Sequence, residues 1–332
     1  MPYALSFLDK SPIDGDETAS DALKRTLALA RKAEEAGFRR FWVAEHHNSA
    51  NLASASPEVL IGFLLAQTRR IRIGSGGVML QHYSAYKVAE NFNLLASLAP
   101  DRVDIGIGKA PGGLPLSTRA LQGAYDPLRK PSFAVQLAEL DGFLRHDQAA
   151  TAGDDSLAAF PLPEKPAQRF LLGASVESAA LAARLGWTFV FAGHIQGDEA
   201  AIAEALSVYR NASGKPALLA LSIITAQTDA LAEQLTGDTR RFRVEVDGQA
   251  VNVGSREQAL DYVRQAGATK YRIEERTSRV VRGAPSRVHA ELDRLHRHYG
   301  VEEFIVDSPV TQGSQRLETI ELLASAHAAI AA

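Results

Sequence analysis

Arg40-Phe41-Trp42-Val43-Ala44-Glu45-His46-His47 is the stretch whose reading decides the fold. Four or five apolar, strand-favouring residues deliver one carboxylate and two imidazoles into a polar loop, Asn48-Ser49-Ala50-Asn51. A buried strand that ends in ionisable groups is how an active site is mounted on a rigid element. Upstream, Ser20 to Gly37 is helical by pattern, with Ala22, Leu23, Leu27, Ala30, Ala33 and Ala36 at helical spacing and Gly37 as the stop. Downstream, Pro57 opens an apolar helix that runs to about Arg69. Helix, strand, site and helix make one unit of an alternating α/β fold.

The unit repeats in both directions. Tyr3 to Leu8 reads as a first strand ending at Asp9, and Ile71 to Leu80 as a third strand loaded with Gly74, Gly76 and Gly77. A helix at roughly Ala85 to Leu98 leads to strand four, Arg102 to Gly108, which ends in Lys109-Ala110-Pro111-Gly112-Gly113. A helix around Ser132 to Arg145 and a surface loop from Gln148 to Pro166 follow. Strands are then expected at Phe170 to Gly173, Trp187 to Phe191, Ala217 to Thr225 and Glu303 to Val306, with helices between them and a closing helix from Gly313 to Ala329. From Ala226 to Pro285 the order is hard to read; it holds two helical patterns and the charged run Lys270 to Arg279, which suits a solvated face or a lid. About eight strands alternating with about eight helices predict a single (β/α)8 TIM barrel over residues 1–332, with insertions after strands four and seven.

Composition agrees with one large soluble domain. At 332 residues the chain is the size of such a barrel. A net charge of −3 with no basic stripe argues against nucleic acid as a partner. The absence of cysteine excludes disulfides, thiolate metal sites and a cysteine nucleophile. The amino terminus lacks the basic start and long apolar region of a signal peptide, and no apolar run approaches the ~20 residues that span a bilayer. No membrane contact and a cytoplasmic location are therefore expected.

In such barrels catalytic groups sit at the carboxyl ends of the strands. Alternation sends Glu45 and His47 one way and His46 the other. A metal site needs three converging ligands, which adjacent residues on one strand do not supply, so none is expected. What remains is a histidine hydrogen-bonded into a loop, or one doing acid/base work near neutral pH. Gly74, Gly76 and Gly77 remove side chains where something flat can press on backbone, although a tight turn explains the same residues. Gly106-Ile107-Gly108-Lys109-Ala110-Pro111 departs from a dinucleotide fingerprint at Pro111, while Lys109 puts a cation at a strand end, suited to a phosphate. Leu172-Gly173-Ala174-Ser175-Val176-Glu177-Ser178 turns a strand into a helix amino terminus, whose amides and hydroxyls form an anion cradle or an ordinary cap.

Taken together, Trp42 to His47, Thr68 to Leu80, Lys87-Val88-Ala89-Glu90 and Asp104 to Gly112 closely resemble the bacterial luciferase-like flavin monooxygenases. The resemblance runs from residue 1 to about 225 and returns from Val280 to the end. It implies FMN held without covalent attachment at the barrel mouth, with reduced FMN, oxygen and a separate flavin reductase as partners. The family's histidine lands on His46, expected to assist the oxygen chemistry of the reduced flavin. The backbone bulge under the isoalloxazine ring, often a non-proline cis peptide, lands near Gly76 and Gly77, with Val78 beside it. The phosphate-binding basic residue lands on Lys109, where arginine is more usual, and the phosphate-holding amides and hydroxyls on Ala174, Ser175 and Ser178. A mobile lid is expected around 268–284, and a homodimer is expected. The implied activity is two-component oxygenation of a small organic substrate such as an aldehyde or ketone. Alternatives are deazaflavin-dependent hydride transfer and non-catalytic flavin binding.

Overall fold

The computed structural model describes residues 2–123, 126, 130–145, 157–195 and 197–331. In chain order β1 (Ala4–Asp9), α1 (Ala19–Glu35), β2 (Arg40–Val43), α2 (Pro57–Gln67) and β3 (Arg72–Ser75) open the fold. The third strand resumes as β4 (Val78–Met79) after the Gly76–Gly77 peptide, which is cis. Then come α3 (Ala85–Leu98), β5 (Val103–Gly108), α4 (Pro115–Leu121), α5 (Phe133–Arg145), β6 (Gln168–Gly173), α6 (Val176–Leu185), β7 (Thr188–Ala192), α7 (Glu199–Ser213) and β8 (Leu218–Thr225). The second insertion carries α8 (Asp229–Gln234), β9 (Arg240–Val246), β10 (Gln249–Val253), α9 (Arg256–Ala266), β11 (Tyr271–Thr277) and β12 (Val280–Gly283). The chain closes with α10 (Pro285–Tyr299), β13 (Glu303–Asp307) and α11 (Gly313–Ala331).

Local signals set these boundaries. Thr18 closes a capping box with Asp21 at the start of α1, and Ser84 and Ser175 cap α3 and α6. Gly186, Gly214, Gly267 and Gly300 stop α6, α7, α9 and α10 in the left-handed conformation.

Eight parallel strands, β1, β2, β3, β5, β6, β7, β8 and β13, pair in a closed ring, the expected barrel with insertions after its fourth and seventh strands. β4 pairs with β5, and β12 adds to the outer half of β8 through Val280↔Ser222 to Gly283↔Thr225. The part of the loop at 148–156 lies outside the described residues.

The region that is hard to read in the sequence is a three-stranded antiparallel sheet, β10-β9-β11, with α9 on one face. Phe242, Val244, Val246, Ala259 and Val263 form its own small core. The charged run is β11, paired with β9 from Tyr271↔Val246 to Thr277↔Arg240. On its α9 face β11 offers Ile273 opposite Val244, flanked by Tyr271, Glu275 and Thr277, so the period-two apolar signal of a strand is missing. The stretch 268–284 thus holds β11, paired into this sheet, and β12, paired with the barrel.

Inside the barrel the side chains stack in layers. The lowest is ionic: Arg40 Nε donates to Glu303 Oε1 at 2.6 Å and Nη1 to Asp104 Oδ2 at 3.0 Å, while Ser6 and Trp42 donate to Glu303 and Asp104 respectively. The middle layer is apolar, built from Leu8, Trp42, Ala44, Phe170, Val190, Leu218, Ala220 and Ile305. Two residues further along the same strands stand Lys10, His46, Ser222 and Asp307. These head the barrel at its carboxyl end.

Candidate active site

The end of β2 is pinned by backbone bonds on both sides. Ala44 N donates to Asp9 O (2.9 Å), His46 N to Ser54 O (2.9 Å) and His47 N to Gly112 O (2.7 Å), so the three ionisable side chains have little freedom. Alternation divides them as expected. Glu45 is fully buried and accepts from Met79 N at 2.9 Å, Tyr83 Oη at 2.8 Å and His47 Nε2 at 2.6 Å. His46 goes the other way, and its buried Nδ1 has no hydrogen-bond partner. Burial, aided by the Lys10 ammonium, pushes the His46 pKa down to about 4, so the ring is neutral at neutral pH.

Three further groups meet His46 at the mouth. Lys10, just past β1, donates to Asp307 Oδ2 at 2.8 Å. Asp307, at the end of β13, also accepts from Ser222 Oγ at 3.4 Å, while its Oδ1 is buried and unpartnered. Burial opposes the Asp307 charge, yet Lys10 and His194 hold its carboxyl down at about 2. His194, two residues past β7, has an unpartnered buried Nδ1 and a pKa pushed by burial to about 4. Lys10, His194 and Asp307 belong to no motif in the sequence and were not among the expected site residues. Each is a lone polar residue at or just after a strand end, the same signal that marks His46.

The opposite rim is bare. The cis Gly76–Gly77 bond interrupts the third strand, with Gly76 N held by Val43 O at 2.9 Å. A Cβ on Gly76 would lie 2.7 Å from Leu8 Cδ1, and one on Gly77 would lie 2.7 Å from Gly106 O. One on Gly106 would overlap the Ser75 carbonyl. At Gly77 and Gly106 the obstacle is backbone, which leaves room for glycine only, while at Gly76 it is the tip of the Leu8 side chain; β3 and β5 meet the mouth as backbone. Val78 is fully buried in the core between barrel and helices, which leaves its backbone for the mouth side.

Beyond this rim the ends of β5 and β6 lie side by side, with Gly108 opposite Leu172. Lys109 is exposed there, close enough to help depress the Glu177 carboxyl, on which the Ser175 hydroxyl acts most strongly. Ala174 is half-buried at the same turn. Ser175 Oγ caps α6 by accepting from Ser178 N at 3.3 Å, and the two hydroxyls lie 3.4 Å apart. Ser178 Cβ also fills the space a side chain at Gly173 would need. Lys109, the two serines and the amino end of α6 therefore gather at one end of the bare rim. A cleft of about 1170 Å³ opens past Lys109, between α4 and the β9–β10 hairpin, with Lys130, Arg119 and Tyr262 in its walls.

These features fit FMN. A stretch of strand without side chains would suit a flat isoalloxazine, a cation near a helix amino terminus would suit a phosphate, and the buried, unpartnered His46 Nδ1 is a polar atom that a bound group could satisfy. Among the described residues no helix is long and apolar enough to cross a membrane.

Comparison with known proteins gives the family and the fold. The family profile described as luciferase-like monooxygenase matches residues 4–308. N-acetyl-S-alkylcysteine monooxygenase of Bacillus subtilis is 44% identical over 329 residues, covering 97% of each chain. The crystal structure of apo-MsnO8 superposes with a TM-score of 0.78 at 30% identity, covering 98% of each chain. The FMN complex of the oxygenating constituent of 3,6-diketocamphane monooxygenase from Pseudomonas putida, a type II Baeyer-Villiger enzyme, shares the fold with a TM-score of 0.69 at 16% identity, covering 98% of this chain and 96% of that one. This chain belongs to the luciferase-like monooxygenases, a family of oxidoreductases that incorporate oxygen.

Proposed function

We propose that this chain is the oxygenase of a two-component system, taking reduced FMN from a separate reductase and oxygenating a small thioether. The observation that carries the reading is the split mouth: a bare glycine rim over β3 and β5 facing a layer of buried, unpartnered polar atoms. The 44% identical relative is named for N-acetyl-S-alkylcysteine, and that substrate class replaces the aldehyde or ketone expected from the family alone. Reduced FMN, when bound, supplies the electrons that activate oxygen.

The residues divide the work. Lys109 and the amino end of α6, with Ala174, Ser175 and Ser178, bind the phosphate; lysine keeps the charge but gives up the two-pronged grip of arginine. Gly76 and Gly77 let the ring lie on backbone. His46, neutral and unpartnered, accepts or donates a proton at Nδ1 beside the reacting edge. The apolar layer of Leu8, Trp42 and Val190 beneath excludes water. Val59 and Phe63 on α2, with Leu94 and Leu98 on α3, are exposed apolar residues that would pack in a homodimer.

Anaerobic reduction of FMN with the chain, followed by mixing with oxygenated buffer, tests the reading. The oxidised flavin spectrum should return much more slowly than for free FMN, and His46→Ala should remove the delay. Return at the free rate would reject the oxygenase.

A further inference from the structure

The polar half of the mouth holds more hydrogen-bonding groups than the flavin reaction needs. Lys10, Ser222, Asp307 and His194 come from β1, β8, β13 and the end of β7 and close one side of the upper interior layer. Lys10 Nζ spends one of its protons on Asp307 Oδ2, 2.8 Å away. Asp307 is 3% exposed, and its second oxygen, Oδ1, has no partner at all. His194 Nδ1 is likewise buried and unpartnered. A buried charged acceptor without a donor is destabilising in the free protein, and a ligand that supplies the donor recovers that free energy.

We propose that Lys10 and Asp307, with His194 beside them, form the substrate-recognition subsite of this enzyme and take an N-acylated α-amino acid through its carboxylate and its amide N–H. The proposal deepens the thioether reading above and rests on it. Lys10 presents its remaining ammonium protons to the carboxylate. Asp307 Oδ1 accepts from the amide N–H. An acylamino acid carries both groups on one carbon, which matches a donor and an acceptor joined in a single ion pair. The layer below, Leu8 and Ile305, is apolar and turns the substrate's side chain toward the glycine rim, where the flavin would lie.

Calorimetric titration of the FMN-saturated chain with N-acetyl-S-methylcysteine, its methyl ester and methylthiopropionate reads the subsite directly. The acid should bind about tenfold or more tighter than either analogue, the scale of one charge-assisted hydrogen bond. Lys10→Met should erase the preference for acid over ester, and Lys10→Arg should restore part of it. Asp307→Ala should erase the preference for the acylamino acid over methylthiopropionate. All three variants should keep wild-type FMN affinity, which reports that they fold. Equal binding of acid and ester by the wild type, or unchanged ratios in the variants, overturns the subsite. The isotherms need no turnover: preference lost in a chain that still delays flavin reoxidation defeats the subsite alone, whereas rapid reoxidation with the preferences intact defeats the oxygenase reading.

Discussion

The Met79 amide donates to Oε2 of Glu45 at 2.9 Å, so the carboxylate that follows β2 holds the chain two residues past the cis Gly76–Gly77 link. Glu45 is the hub between the two strand ends that make the site, since Tyr83 and His47 converge on its other oxygen. Burial and the Glu45 charge also keep the Tyr83 phenol protonated, its pKa far above the ordinary range. Glu45→Ala strands the buried Met79 amide and two half-buried groups, the Tyr83 hydroxyl and the His47 ring. A loss of about 3 kcal/mol or more in urea unfolding is expected, together with weaker FMN binding. Glu45→Gln keeps two acceptor positions on one oxygen and should lose less of both.

Glycine at the rim is required unequally. A Cβ at Gly106 would overlap the Ser75 carbonyl, which is backbone and has nowhere to go, whereas a Cβ at Gly108 would meet Met79 at an ordinary 3.5 Å. Gly106→Ala should therefore destabilise the chain by about 3 kcal/mol or more, and Gly108→Ala by under about 1 kcal/mol, in parallel denaturation curves. Equal effects would mean that the close approach of β3 and β5 is not what selects glycine here.

Much of this was legible in the residue order, and what was not has a physical reason. Runs such as Val103 to Gly108 are buried on both faces and, Asp104 apart, carry no charge, so the barrel strands stood out. The opposite destinations of His46 and of Glu45 with His47 followed from alternation alone. Strands β9 and β11 alternate arginine and glutamate with the few residues that meet α9, and that pattern looks like a solvated loop. Lys10, His194 and Asp307 carry no local motif. They become a site only because ring closure brings strands from opposite ends of the chain into register, as Leu8↔Asp307 and Asp307↔Ser222 show.

Acid should weaken this protein through its mouth. His46 and His194 titrate near 6.5 when unfolded and near 4 when folded, because burial disfavours their charged forms. Between pH 6.5 and about 4 the unfolded chain binds protons that the folded chain refuses, so stability falls as pH falls through that window. The slope approaches about 1.4 kcal/mol per pH unit for each imidazole. Asp307, held near 2 against an ordinary 3.8, adds its loss only below that window. Urea midpoints measured from pH 7 to 4 should show the decline, and His194→Asn should make it shallower, the rest coming from His46 and from His82 and His289, whose pKa values burial also lowers. A decline that His194→Asn leaves untouched would place the titrating groups elsewhere.

The two ends of the barrel should separate under mutation. At the bottom, Asp104 is fully buried and accepts from Arg40, Arg72 and Trp42 at 2.7 to 3.0 Å, while Arg40 lies 4.7 Å from the Phe170 ring centroid and also bonds Glu303. Of this network only the Trp42 indole extends upward, into the apolar layer it shares with Leu8, Phe170 and Ile305, and that layer separates the charged groups from the mouth. Removing one member of a buried ionic set leaves the others uncompensated, which costs about 3 to 5 kcal/mol. Asp104→Ala is thus expected to lower the unfolding free energy by that amount while the folded fraction keeps its FMN affinity. Lys109→Ala should do the reverse, since Lys109 is exposed and a surface charge adds little to stability, yet it is the cation proposed to meet the phosphate. Unfolding curves and FMN titrations on the same two variants decide the matter. FMN affinity unchanged by Lys109→Ala would move the phosphate away from the β5 end, and the cationic cleft walled by Arg119 and Lys130 would be the next place to look.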